Sequence, residues 1–315
     1  MKRFFIFLTI LFISLNLVAC NNEQGKEEAK KGPVTIGTFI DSEGAVLGKM
    51  MVMLLEQEGY EVIDKTEFGT PDILRKALLA GEVNLVLDYT GSGQYYHDVE
   101  DIDTDIWSDA REGYLLTKKL DEEENNIIWL EPAQANNTEA LAVRREFSEA
   151  HNIKDMEDLA RYVKEGGEVK LICSVSFAEN IKGLRGFEEA YGFHLSADQI
   201  IALASGNTAE MLKALVEMTN GVNVSLVYGT DGALDKMDLV VLDDPKSIPP
   251  VYLPAPVLQG ALYEKYPEIE KPLNRLFQSL NENNLRQLNS KVAYDGMAAE
   301  AVAREYLEEN ELLIK

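Results

Sequence analysis

Short runs of apolar, often β-branched residues alternate with amphipathic segments from about Pro33 onward. The first part of this pattern predicts three strands, at 34–39, 61–66 and 83–89. A helix capped by Asp41 or Ser42 is expected to follow the first strand, and a helix capped by Thr70 to follow the second. Glycine ends each helix. This β-α-β-α-β order predicts an α/β fold built on a mostly parallel sheet with helices on its faces.

The second half of the chain continues the alternation without a fixed period, which excludes solenoids and propellers. Its predicted strands are 127–130, 139–144, 169–174 and 222–227. Its predicted helices are 155–164, 186–191, one that Asn207 or Thr208 caps and that ends near Asn220, and a largely helical tail over 264–313. An apolar content of 46% in a chain of this length is enough for two hydrophobic cores.

The first twenty residues have the pattern of an export signal. Lys2 and Arg3 precede an apolar run over 4–18, and Leu17-Val18-Ala19-Cys20 is followed at once by polar residues. A basic start, a short apolar core and small residues at the cut are typical of a secretory peptide. The segment resembles a bacterial lipoprotein signal, so we expect residues 1–19 to be removed and Cys20 to be acylated. An ordinary signal with an incidental cysteine, or a retained anchor helix, are the alternatives.

Residues 20–32 carry the proposed acylated cysteine and the sequence NNEQGKEEAKKG, which has no large apolar residue and therefore predicts a flexible tether. The second cysteine, Cys173, lies in an apolar run and is predicted to be a buried strand thiol rather than a nucleophile. With Cys20 used by the anchor, no disulfide framework is expected. The formal net charge of -24 would repel phosphate backbones, which argues against nucleic-acid binding.

The sequence lacks the patterns of common catalytic and metal sites. It has no G-x-S-x-G elbow, and its three histidines, His97, His151 and His194, are too far apart for a metal-ligand motif. The pair Gly91-x-Gly93 lacks the remainder of a dinucleotide-binding fingerprint. We therefore predict no catalytic residue, no metal and no cofactor, which argues against an enzyme.

Several loop motifs at strand ends occur together in one known family. They are GTFIDSEG at 37–44, GTP at 69–71, DYTGSG at 88–93, PAQANNT at 132–138, EEAYGF at 188–193, YGTDG at 228–232, PVYLPAPV at 250–257 and LNSKV at 288–292. On these residues the chain resembles the substrate-binding proteins of quaternary-ammonium and osmoprotectant ABC transporters, in particular their YehZ/OsmF-like branch. The resemblance covers about 34–307.

The resemblance implies a two-lobed type II periplasmic-binding-protein fold with the ligand cleft between the lobes. It places two crossings between the lobes, near 132–137 and 242–252. The implied lobe I is discontinuous and comprises 33–134 and 245–315, and the implied lobe II comprises 135–244. Such a protein would close around its ligand and pass it to the permease of an ABC importer.

A quaternary ammonium has no hydrogen to donate, so aromatic faces and carboxylates are expected to hold it. The aromatic candidates are Tyr89, Tyr228 and Tyr252, followed by Phe39 and Phe177. For a ligand carboxylate, which needs hydroxyls, amides and helix N-termini, the candidates are Thr70, Thr90, Asn136, Asn137 and Thr138. Loop residues completing the expected site are Asp41, Glu43, Thr230 and Asp231, the last of which is also a candidate hinge brace. Taken singly, each residue also fits a plain role as strand end, turn or helix cap.

One departure from the family pattern bears on the ligand. Choline- and betaine-specific relatives tend to carry an aromatic residue and a glutamine in the first loop, where this chain has Asp41 and Gly44. A sparser cage would bind betaine more weakly or fit another cation. We expect an extracytoplasmic monomer that is attached to the membrane through its lipid and works with ABC permease subunits. The alternative is a tethered binding protein for another small cation, zwitterion or amino-acid derivative that acts as a sensor.

Overall fold

The computed structural model describes residues 31–98, 103–204 and 208–314. The predicted signal peptide over 1–19, Cys20, most of the predicted tether and the helix-cap candidate Asn207 lie outside these residues. Within the described part of the chain, no helix combines the length and the apolar character needed to span a membrane.

The described elements alternate as an α/β chain should. The strands are β1 Lys31–Phe39, β2 Tyr60–Gly69, β3 Leu85–Tyr89, β4 Ile127–Trp129, β5 Glu139–Arg144, β6 Leu171–Ser174, β7 Ile200–Leu203, β8 Val224–Tyr228, β9 Leu239–Val241 and β10 Pro254–Gln259. The helices are α1 Ser42–Gln57, α2 Pro71–Ala80, α3 Gly93–Tyr96, α4 Ala110–Asn125, α5 Arg145–His151, α6 Met156–Lys164, α7 Val175–Glu179, α8 Leu184–Tyr191, α9 Thr208–Glu217, α10 Ala233–Lys236, α11 Gly260–Lys265, α12 Glu270–Ser279, α13 Glu282–Ala293 and α14 Ala299–Glu309.

The strands form two five-stranded sheets, which confirms the two-lobed α/β architecture. The first sheet has the order β2-β1-β3-β10-β4, and the second has the order β7-β6-β8-β5-β9. The two orders are equivalent, since β10 occupies in the first sheet the place that β5 occupies in the second. The C-terminal strand β10 joins a sheet otherwise made of the N-terminal part of the chain.

The sheets are mixed but mostly parallel, as expected, because in each sheet four of the five strands run in the same direction and one strand is reversed. The pairs β1–β2, β1–β3, β6–β7 and β6–β8 are parallel, whereas β10 runs antiparallel to β3 and β4, and β5 antiparallel to β8 and β9. Both reversed strands begin directly after the chain has passed from the other sheet. Each reversed strand begins at the edge of its sheet where the parallel strands end, and it therefore runs in the opposite direction. The two crossings meet at this edge.

Separate apolar cores support the two sheets. In the first, Met50 and Leu54 of α1 pack with residues of the C-terminal helices such as Phe277 and Leu307. The opposite face of the same sheet buries Trp129 together with residues of β3 and α2. A third core surrounds the second sheet and contains the predicted buried thiol of Cys173. Burial raises the pKa of this thiol to about 12, which keeps it protonated and unreactive.

Most predicted elements are present with shifted ends. β5 has the predicted bounds, and Asp41 caps α1 by accepting a hydrogen bond from the Gly44 amide at 2.6 Å. β1 begins at Lys31, so the last two residues of the predicted tether belong to a strand. The strands β7, β9 and β10 and the helices α3, α4, α5, α7 and α10 have no counterpart in the predicted elements.

Candidate functional site

The facing edges of the two sheets bring together most of the predicted ligand-binding residues. Tyr89 ends β3 of the first sheet, and Tyr228 ends β8 of the second. Ligands of open α/β sheets bind beyond the carboxyl ends of such strands. The two crossing segments, which contain Asn137 and Tyr252, pass between these ends, since the Asn137 amide donates to the Tyr252 carbonyl at 2.9 Å.

On the side of the first sheet, Phe39 and Tyr89 form an aromatic pair. Their rings are stacked with centroids 5.7 Å apart and an interplanar angle of 11°. The Tyr89 hydroxyl donates to Glu43 at 2.6 Å, and the Asn137 side-chain amide approaches that hydroxyl at 3.4 Å. Burial, followed by the negative charge of Glu43, raises the pKa of Tyr89 well above its usual value. The phenol therefore stays neutral and holds a fixed orientation.

Glu43 is the centre of a contact between the two sheets. Only 5% of the residue is exposed, and its second carboxylate oxygen accepts from the Asn289 side chain at 2.7 Å. The Thr230 hydroxyl also hydrogen-bonds to this carboxylate, and the Thr230 carbonyl accepts from Asn289 at 2.9 Å. Burial raises the pKa of Glu43 while these three donors oppose the shift. The carboxylate thus joins β3, α13 and the loop after β8.

Tyr228 of the second sheet and Tyr252, which packs against the core of the first sheet, lie in a cluster with Glu139 and Tyr95, two residues that the motifs did not predict. Glu139 stands directly opposite Tyr228 in the antiparallel β5–β8 pair, so their side chains share one face. The Tyr252 hydroxyl is 3.3 Å from the Tyr95 hydroxyl and accepts from the Gln94 amide at 3.2 Å. Burial, followed by the charge of Glu139, raises the pKa of Tyr228 to about 12.

Thr90, Asn136 and Thr138 hold the crossing segments. The Thr90 hydroxyl donates to the Val251 carbonyl at 3.1 Å, and the Asn136 side chain accepts from the Tyr252 amide at 2.9 Å. The Thr138 hydroxyl donates to a backbone carbonyl of the other crossing at 2.6 Å. Because these polar groups hydrogen-bond to the backbone of the crossing segments, they hold the site in place rather than face a ligand.

Four predicted residues lie at the margin of the cluster or away from it. Asp41 is taken up by its cap of α1, and Asp231 accepts from the Ala233 amide at 3.0 Å at the start of α10. Thr70 is exposed at the start of α2 and makes no side-chain cap hydrogen bond. Phe177 is fully buried in the core of the second sheet, where its ring packs 6.1 Å from that of Phe187.

A buried polar network lies next to Tyr89 and involves Asp88, Tyr96 and Arg75. The preceding residue, Asp88, accepts from the Tyr96 hydroxyl at 2.8 Å and from the Tyr89 amide at 2.7 Å. The Arg75 guanidinium lies 4.2 Å from the Tyr96 ring centroid and forms a bidentate ion pair with Asp121. Burial raises the pKa of Asp88 to about 6. The network fixes β3 and α3, the two elements that present Tyr89 and Tyr95.

Comparison with known proteins gives this site its family context. Residues 32–309 match the family described as the substrate binding domain of the ABC-type glycine betaine transport system. The chain belongs to this family. Its members bind and present substrates rather than transform them, so the prediction of a binding protein in place of an enzyme is confirmed.

Individual relatives agree with the family match. The chain is 41% identical over 277 residues to the glycine betaine-binding protein YehZ of Escherichia coli, covering 88% of this chain and 90% of the relative. A glycine-betaine-binding protein of Pseudomonas aeruginosa is 30% identical over 293 residues, covering 90% of each chain. The solved structure of apo YehZ from Escherichia coli superposes with a TM-score of 0.79 and 40% identity, covering 90% of this chain and all of that one.

The predicted site residues did not include three residues that lie at the site in the structure, Glu139, Tyr95 and Asn289. In the sequence, Glu139 has only the appearance of a polar residue at the start of a predicted strand. Its burial could not be predicted, because it depends on partners more than eighty positions away. Tyr95 is 68% exposed and follows the DYTGSG motif by two residues. Asn289 lies inside the quoted LNSKV motif, so the family motif itself was the available signal.

Proposed function

We propose that the protein is the extracytoplasmic solute-binding component of an ABC importer, that it binds a quaternary-ammonium osmoprotectant such as glycine betaine, and that it delivers this ligand unchanged to the permease. Membership of the glycine betaine substrate-binding family supports the transport role. The names of the relatives, both glycine betaine-binding proteins, support the ligand class.

The observation that carries the ligand class is the aromatic cluster at the facing edges of the sheets. Phe39, Tyr89 and Tyr252 lie on the side of the first sheet, and Tyr228 lies on the side of the second. Each ring contact with a quaternary ammonium contributes roughly 0.5 to 2 kcal/mol. Four neutral rings around one methylated nitrogen are therefore sufficient for a specific site.

Ligand-driven closure follows from the division of this cluster between two sheets. We assign 33–134 and 245–315 to lobe I and 135–244 to lobe II, with the two crossings as the hinge. A ligand that touches rings from both lobes binds the closed state more tightly than the open one. Closure then presents a defined surface to the permease.

Isothermal titration calorimetry with glycine betaine, proline betaine, carnitine and choline tests the ligand class. We expect heat of binding with at least one of these quaternary amines and none with ordinary amino acids or sugars. Binding of an amino acid or a sugar without any response to the quaternary amines would contradict the proposal.

We further propose that acylated Cys20 anchors the mature protein, a monomer, to the outer face of the cell membrane. Acyl chains contribute about 0.8 kcal/mol per buried CH₂, and residues 21–32 carry three lysines against three glutamates and offer no basic patch. Cys20→Ser should release the protein into the soluble fraction with ligand binding unchanged. A serine variant that stays firmly in the membrane fraction would instead indicate a retained apolar helix.

A further inference from the structure

We propose that Glu139 determines which ligand charge the site prefers, and that its carboxylate favours a quaternary-ammonium alcohol with a net positive charge, such as choline, over a zwitterion such as glycine betaine. This inference rests on the proposed function. It names the substrate class of the same cluster and assigns a specificity-determining residue within it.

The position of Glu139 places its charge where the cation would lie. It is the first residue of β5, directly opposite Tyr228 at the carboxyl end of β8. Its negative charge raises the pKa of Tyr228, of Tyr252 and of the Cys173 thiol of β6. Tyr95 lies beside both of these tyrosines. These are the titratable groups that face it from the neighbouring strands, the crossing segment and α3.

The Glu139 carboxylate has no structural task in the described part of the chain. No hydrogen bond or ion pair joins it to another described residue, and the residue is half-buried. Desolvation by this burial raises its pKa to about 7. A cation arriving between the tyrosines would supply the missing opposite charge, whereas the carboxylate of a zwitterion would be repelled by it.

Asn137 provides independent support for an alcohol. Its Oδ1 atom is buried, and no donor among the described residues reaches it. A buried acceptor left unpaired destabilises the site, and a ligand hydroxyl would satisfy it. The fully ionised carboxylate of glycine betaine has no proton to donate. The charge of Glu139 and the unpaired acceptor of Asn137 therefore both favour a cationic alcohol over a zwitterion.

The test is calorimetry at pH 6 and pH 8 with choline, tetramethylammonium and glycine betaine. For a carboxyl group with a pKa of about 7, the ionised fraction rises about tenfold over this range. We expect the affinity of the wild-type protein for both cations to rise by nearly that factor, with proton release detectable in buffers of different ionisation enthalpy. The affinity for glycine betaine should change less than about threefold.

Glu139→Gln should remove the pH dependence and the proton release and weaken choline about tenfold at pH 8. Glu149→Gln is the matched control, because it removes the same charge from an exposed position of α5. Thermal unfolding checks that both variants are folded. If Glu139→Gln kept the wild-type pH profile and ligand order, this inference alone would fall. If the wild-type protein bound no quaternary amine at either pH, the proposed function would fall with it.

Discussion

The two sides of the cleft each contain a glutamate, Glu43 buried and Glu139 half-buried, and the two carboxylates have different surroundings. Glu43, on the side of the first sheet, receives hydrogen bonds from Tyr89, Asn289 and Thr230. Glu139, on the side of the second sheet, has no such donor among the described residues, and its charge meets only tyrosines and a thiol. Burial raises the pKa of both groups. Their chemistry is set by the donors around them.

Because of this difference, the two sides of the cleft offer different interactions to a ligand. Because the oxygens of Glu43 are engaged by protein donors, that carboxylate orients Tyr89 and joins the sheets, and the first sheet offers the ligand a neutral aromatic face. The second sheet offers the ring of Tyr228 and the uncompensated charge of Glu139. A buried carboxylate with satisfied oxygens stabilises the fold, whereas one without partners costs stability and gains a partner only when ligand binds.

The largest expected effect is on folding, from Glu43→Ala. The substitution removes the acceptor of the Tyr89 hydroxyl and one of the two acceptors of the Asn289 amide, so we expect the free energy of unfolding to fall by about 2 to 4 kcal/mol. Glu139→Ala, which removes no hydrogen bond within the described residues, should cost less than about 1 kcal/mol at pH 7. Urea unfolding of both variants measures the difference. Equal losses would show that the two glutamates have the same role.

The next effect is on ligand affinity. Tyr89→Ala and Tyr228→Ala should each weaken the binding of a quaternary amine by roughly 1 to 3 kcal/mol, because each removes a ring from one side of the cation. Tyr228→Phe should be mild, since it keeps the ring. Tyr89→Phe should be more damaging, since it also removes the donor to Glu43. Calorimetry that finds wild-type affinity in both alanine variants would show that the ligand binds elsewhere.

A smaller effect concerns the pH dependence of stability. The pKa of Glu139 is raised in the folded protein from the usual 4.5 to about 7. A raised pKa stabilises the fold at low pH, and this contribution is lost as the pH rises through the folded value. Relative to Glu139→Gln, the wild-type protein should therefore lose about 2 kcal/mol of unfolding free energy between pH 5 and pH 8.

The difference between the two proteins isolates Glu139, because Glu43 and Asp88, whose pKa values are also raised, are present in both. Denaturant unfolding without ligand at several pH values provides the measurement. A constant difference across this range would mean that Glu139 titrates normally and that its charge is solvated.

The sequence was sufficient for the elements with clear local signals. The cap at Asp41, the start of α2 at Pro71 and the bounds of β5 follow from side-chain chemistry within a few residues. β10 was missed because Pro254 and Pro256 lack amide hydrogens and argue against a central strand. Its place between β3 and β4 depends on pairing across more than one hundred residues. The reversed direction of β10 and β5 in otherwise parallel sheets was not predicted for the same reason.

The candidate site shows the same limit. Tyr89 and Tyr228 could be predicted, since each ends a recognisable strand. The contrast between Glu43 and Glu139 could not, because it depends on which donors the fold brings to each carboxylate. Asn289 and Thr230 reach Glu43 from distant segments. Residue type alone gives a glutamate on each side of the cleft and does not indicate which one is satisfied.

The smallest expected effect is that of Thr70→Ala, which tests the opposite ligand preference from Glu139→Gln. Thr70 precedes α2, its hydroxyl makes no cap hydrogen bond, and the neighbouring Gly69 carbonyl accepts from the Ile40 amide of the first loop at 3.2 Å. Stability should therefore change by less than about 0.5 kcal/mol. A hydroxyl at a helix N-terminus suits a ligand carboxylate.

Affinity for glycine betaine should fall about two- to fivefold in Thr70→Ala, a loss typical of one hydrogen bond, while affinity for choline should be unchanged. Glu139→Gln should show the reverse order, with choline more affected than glycine betaine. Calorimetry with choline and glycine betaine on both variants measures these opposite changes in affinity. If Thr70→Ala weakened choline and glycine betaine equally, its hydroxyl would act on the shape of the site, and the ligand carboxylate would have to be placed at another group.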